Sequence, residues 1–189
     1  MKRKVLLPVI AVALLLCCAV SGTLAWLMDK TDAITNTFTV GNVGITLEES
    51  TTNYKMVPGC EIAKDPTVTV AANSEKCYVF VKVNRSDNFD SFMTCAMADG
   101  WSVLNGTTDV FYRVADNAEV PQVFAVLQDD KVMVKDTVTK EMMEAITTGS
   151  ASAPTLTFTA YAVQYFNGTS SDGSQTSFTP AEAWSKLNN

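Results

Sequence analysis

The chain reads as an all-β protein, an antiparallel β-sandwich with two short helices. Three observations carry that reading. Apolar residues alternate with threonines and other polar residues over several short runs, the period of a half-buried strand. Turn signals such as Gly41-Asn42, Pro58-Gly59 and Asn105-Gly106 punctuate those runs. Only two stretches, both short, carry helix start and stop signals.

Before the first strand lies a segment of a different kind. Lys2-Arg3-Lys4 is a basic cap, and Val5 to Val20 is apolar apart from Pro8. Ser21-Gly22-Thr23-Leu24-Ala25 follows, and charge returns at Asp29. This is the three-part layout of a secretory signal peptide, here expected as a helix over residues 1–25. The apolar run is shorter than the ~20 residues a membrane-crossing helix needs. Thr23 and Ala25 suit the small subsites of a signal peptidase, which places the cut between Ala25 and Trp26. The competing reading is an uncleaved N-terminal anchor.

The elements then follow in order. Ile34, Asn36, Phe38 and Val40 alternate with Ala33, Thr35, Thr37 and Thr39, and Val43, Ile45 and Leu47 resume the pattern after Gly41-Asn42. Residues 48–53 are polar and read as a loop. Thr67-Val68-Thr69-Val70 is a β-branched strand, and Asn73-Ser74-Glu75-Lys76 is expected to be the hairpin loop returning the chain. Tyr78 to Val83 is nearly all apolar, the mark of a central strand buried on both faces. Residues 84–90 are polar and expected to be exposed. Asn105-Gly106-Thr107 joins runs at Trp101–Leu104 and Val110–Val114 as a hairpin. Val123–Leu127 and Lys131–Lys135 flank Gln128-Asp129-Asp130. Thr139 caps a helix over 140–147 that Gly149 ends. Residues 155–166 form the longest alternating run, with Leu156, Phe158, Ala160 and Ala162 on one face. Val79, Val81, Phe158 and Ala160 are expected to share one core. Residues 167–174 read as a Gly/Ser loop, and Thr179-Pro180-Ala181-Glu182 is a capping box opening a last helix.

Composition excludes several classes. Removing residues 1–25 leaves 164 of 189, one ordinary domain (26–189). Three of the fourteen basic residues and none of the twenty acidic ones leave with it, so the net charge falls from −6 to −9. Such a surface repels nucleic acid and anionic lipid. The chain has no histidine, which removes the usual general base, the commonest metal ligand and any HExxH zinc site. No nucleophile motif is present, so an enzyme is the weakest reading, and no cofactor or metal is expected. Cys17 and Cys18 leave with the signal. Cys60, Cys77 and Cys95 match no zinc spacing, and either one bridge plus a free thiol or three buried thiols fits them.

The remaining candidates have plain readings. The carboxylate pairs Asp29/Asp32, Glu48/Glu49 and Asp129/Asp130 fall in loops or at strand ends, where hydration is the rule. The sequons at Asn84, Asn105 and Asn167 read as turns. Trp26, Trp101 and Trp184 could make a sugar platform, but each sits among apolar neighbours, which favours packing.

Gly22-Thr23-Leu24-Ala25-Trp26-Leu27-Met28-Asp29 and Asn36-Thr37-Phe38-Thr39-Val40-Gly41 together resemble the export and processing region of the TasA/camelysin group, secreted proteins of Gram-positive bacteria. Residues 55–59, 64–66, 67–70, 78–83 and 155–164 resemble the later parts of the same group. The resemblance implies a SipW-type signal peptidase, a jelly-roll-like sandwich and a structural role in extracellular fibres of the biofilm matrix or cell surface. Partners would be further copies of the chain or related matrix proteins, with no stable membrane anchor after cleavage. Some relatives have been described as metalloproteases; this chain departs from any such site by lacking histidine, and its cysteines depart from the cysteine-free matrix proteins. Within this reading Trp26, Leu27, Ile34, Phe38 and Val40 are the side chains of a donor strand that adds to a neighbour's sheet. The same residues could equally form the first strand of their own domain. The alternative function is a secreted β-sandwich module binding cell-wall glycan or a host ligand.

N-terminal sequencing of secreted material is expected to start at Trp26, and Ala25→Glu to leave an uncut, membrane-held precursor.

Overall fold

The computed structural model describes residues 41–51 and 54–188. The signal segment, the cleavage residues Ala25 and Trp26, and the donor residues Trp26, Leu27, Ile34, Phe38 and Val40 lie outside the described residues.

Every strand pairing among the described residues is antiparallel. One sheet has the order β1-β3-β8, from Ile45–Glu48, Thr67–Val70 and Gln122–Ala125. A second has the order β10-β4-β7-β6, from Leu156–Gln164, Cys77–Arg85, Val110–Ala115 and Ser102–Val103. These two sheets face each other. Val68 and Val70 from β3 meet Val79, Val81 and Val83 from β4, with Phe158 and Ala160 of β10 packed against them. Threonine alternates with valine in β3, so both valines turn inward and are fully buried. The shared core expected for Val79, Val81, Phe158 and Ala160 is present, although Phe158 is only half-buried.

Strand β4 is central, as its apolar run implies. It pairs over nine residues with β10 and over six with β7. Its second face carries Tyr78 and Phe80, which pack under the C-terminal helix α3, Pro180–Ser185. (The two earlier helices are α1, Phe89–Phe92, and α2, Lys140–Thr147.) The Trp184 ring of α3 stands 5.2 Å from Phe80 and 5.4 Å from Tyr161. The Thr179–Glu182 capping box and Pro180 open this helix, and Thr139 caps α2, as their spacing predicts. A third sheet has the order β2-β9-β5, from Glu61–Ala63, Lys131–Val134 and Met93–Thr94.

Four expectations need correction. Among the described residues there are three short helices rather than two. Helix α1 hides in the polar stretch because Phe89 and Phe92 are both buried, Phe89 under the Arg85 guanidinium at 5.7 Å. Residues 73–76 do not close a hairpin, since β3 and β4 belong to different sheets and the chain crosses between them. Asn73 takes φ 58° and Ser74 is buried, its Oγ accepting from the Gly44 amide at 3.3 Å. Residues 167–169 are not loop. Phe166–Thr169 (β11) pairs with Gln175–Ser177 (β12), leaving only the turn between them. Finally, the three thiols are free but not all buried, for Cys60 is exposed while Cys77 lies in the core.

Phe80 is fully buried at the junction of β4 with α3. Phe80→Ala is expected to cost about 3–5 kcal/mol, read as a shifted denaturation midpoint, because the ring's cavity cannot collapse between two layers.

Candidate functional site

A groove of about 710 Å³ opens among the described residues. Leu47 of β1, Leu156 and Phe158 of β10, Ile62 of β2 and Phe89 of α1 give it apolar walls. It therefore lies where β1 and β10, the same-side edge strands of the two facing sheets, approach one another.

One wall is polar and is built from three distant residues. Lys64 follows β2, with its amide donating to the Asp130 carbonyl at 2.8 Å. Asp65 accepts from the Ser50 amide at 3.0 Å and the Ser50 hydroxyl at 2.9 Å, which pins the loop after β1. Those two bonds also hold the Asp65 carboxyl below its ordinary range. The pinned loop delivers Glu49 to Lys64, with Nζ 2.5 Å from Oε1. The Tyr54 hydroxyl donates to the same Oε1 at 2.5 Å and also bonds the Thr51 carbonyl. The Lys64 ammonium lies 5.0 Å from the Tyr54 ring centroid and 5.5 Å from that of Phe158. Burial, then the hydrogen bond and charge of Glu49, push the Tyr54 phenol far above its ordinary range, so it stays a neutral donor. Lys64 is 8 % exposed. Its charge is tolerable there because Glu49 neutralises it at contact distance.

Sequence reasoning placed Glu49 in a solvated loop and passed over Lys64 and Tyr54. The signal available was strand parity. Ile62, Lys64 and Pro66 alternate, so Lys64 falls on the inward face with Ile62. Glu48, Asp129 and Asp130 are exposed, as read. Asp129 and Asp130 occupy a tight turn at φ 53° and 49°, with Asp129 3.5 Å from Lys131. Asp29 and Asp32 lie outside the described residues.

The tryptophans do not form a shared platform. Trp101 packs on the inter-sheet core and its indole donates to the Ala125 carbonyl at 2.8 Å, whereas Trp184 belongs to the opposite face of β4. Trp26 lies outside the described residues. Arg113 stacks its guanidinium over Phe124 at 3.8 Å and near Trp101 at 5.4 Å, with its Nε buried and unpaired. Gly100, at φ 87°, leaves the room that arginine needs, since a Cβ there would come within 3.1 Å of it. Burial pushes the Cys77 thiol up to about 11 and raises Cys95 also, so neither is a ready nucleophile. Among the described residues, no group of three or more Cys, Asp or Glu side chains gathers at a metal-sized site, and no helix is long and apolar enough to cross a membrane.

No protein-family model, curated protein or solved structure matches the chain.

Lys64→Met leaves Glu49 uncompensated in the groove and is expected to destabilise by about 1–3 kcal/mol, below the fully buried case because the pair is partly hydrated. The double variant Lys64→Met/Glu49→Gln should recover part of that loss in urea melts, since no lone charge remains.

Proposed function

We propose that the chain is a secreted structural subunit of the extracellular matrix or cell surface, assembling into fibres by β-strand addition. The groove edge carries this reading. Strand β10 has nine residues bonded to β4 on one side, and no strand lies on its other side among the described residues. Such an edge is about 30 Å of backbone donors and acceptors with no strand partner among the described residues, a template for another strand. The edges across the sandwich are blunted. β6 has two residues, while β8 follows Pro121 and its last carbonyl is capped by the Trp101 indole.

In this reading the fold is a jelly-roll-like sandwich of the TasA/camelysin type, exported under a signal peptide that a SipW-type peptidase removes after Ala25. The freed segment from Trp26 to Val40 is the donor, with Trp26, Leu27, Ile34, Phe38 and Val40 as its apolar side chains. A donor segment and an acceptor groove carried by the same chain make a heterologous contact between copies, which propagates as an open filament. No catalysis is assigned to the chain. The alternative, a module binding cell-wall glycan or a host ligand, draws on the groove's volume, which is in the range of small-molecule pockets.

Deleting Trp26–Asn36 from the secreted form is expected to leave a folded, monomeric protein. Circular dichroism reports the fold and analytical ultracentrifugation the mass. Unfolding on deletion would assign the segment to its own domain, and a monomeric intact chain at all concentrations would favour the binding module.

A further inference from the structure

The groove's polar lining is the rim residues Glu48, Thr155 and Thr157 and the Lys64–Glu49–Tyr54 wall, and that wall is electrically closed. The ion pair cancels within itself and Tyr54 is neutral. An incoming aspartate or lysine would pull one partner away and strand the other charge. The segment that fits against this wall is therefore free of charge where it meets it. Between Asp32 and Glu48 the sequence has none, and residues 33–40 in it span about 26 Å as a strand, close to the length of β10.

Strand periodicity sorts these eight residues into two faces. Ile34, Asn36, Phe38 and Val40 share one of them. Asn36 is the lone polar member of that apolar face. Its amide both donates and accepts. The wall offers the complementary set: an ammonium with three hydrogens, of which the Glu49 contact uses one, and a carboxylate whose hydrogen bonds from Lys64 and Tyr54 both fall on Oε1.

We infer that Asn36 of a second copy is received by the Lys64–Glu49 pair, and that this contact sets the register in which residues 33–40 enter the groove. The inference rests on the strand-addition reading above. A slip of one residue would turn the threonine face inward. A slip of two would set Ile34 or Phe38 against the ion pair and leave the Asn36 amide without partners on an apolar wall. A single buried asparagine fixes register in this way in other assemblies, at some cost in stability.

The test uses the secreted chain and its variants in sedimentation velocity over a concentration series, with thermal melts by circular dichroism confirming the fold of each. Asn36→Asp is expected to raise the concentration needed for assembly at least about tenfold, as a like charge beside Glu49 should. Adding Glu49→Gln to that variant should bring it back to within about threefold of the unaltered chain, because the aspartate then pairs with Lys64. Asn36→Leu should weaken assembly by a smaller factor that Glu49→Gln does not restore. If the unaltered chain never assembles, strand addition itself falls, and this inference with it. If it assembles and Asn36→Asp or Asn36→Leu assembles equally well, or if Glu49→Gln fails to rescue Asn36→Asp, strand addition stands and the register contact is overturned.

Discussion

Strand β4 is the constraint on which the rest depends. Val79, Val81 and Phe80 are each fully buried, so the strand needs apolar cover on both faces at once. One face is covered by the sheet holding β1, β3 and β8. On the other, no second sheet lies among the described residues, and the aromatic rings of Tyr78, Phe80, Tyr112 and Tyr161 are closed over by Ala183, Trp184 and Leu187 from the chain's last turns. The C-terminal helix is thus a cover for the sheet rather than an appendage. Its capping box and Pro180 matter because six residues cannot nucleate a helix unaided.

The same demand shapes the polar chemistry. Tyr78 is turned into the covered face and its hydroxyl donates to the Phe178 carbonyl at 2.8 Å, which ties the entry of α3 to the central strand. Arg113 sits on the inner face of β7 beside Val79 in register, where a cation has little water. Aromatic faces from Phe124 and Trp101 take the place of hydration. Lys64 meets the equivalent difficulty at the groove with a carboxylate instead. The two cations mark the two open sides of the sandwich, one stacked and one paired.

What could be read from the residues was whatever is decided within one element. The alternation from Leu156 to Gln164, the apolar run of β4, the Asn105-Gly106 hairpin and both helix caps follow from neighbours along the chain, and each stands in the structure. What could not be read was decided between elements. Nothing near Asn73 tells a hairpin from a crossing to another sheet. β2 and β5, of three and two residues, are strands only because β9 lies between them. The groove was the least legible part, because Glu49 and Lys64 are brought together by the Asp65–Ser50 clamp, an arrangement with no mark in either local pattern.

The long pairing of β4 with β10 also has a mechanical meaning. Its nine registered pairs run side by side. Tension applied along the strands loads all of these rungs together, and they must yield as a group. The short β11–β12 hairpin, pulled apart from its open end, gives way one rung at a time. A chain strung end to end through the β10 edge would carry its load on the strongest ladder it has, and the hairpin would stand outside the line of force.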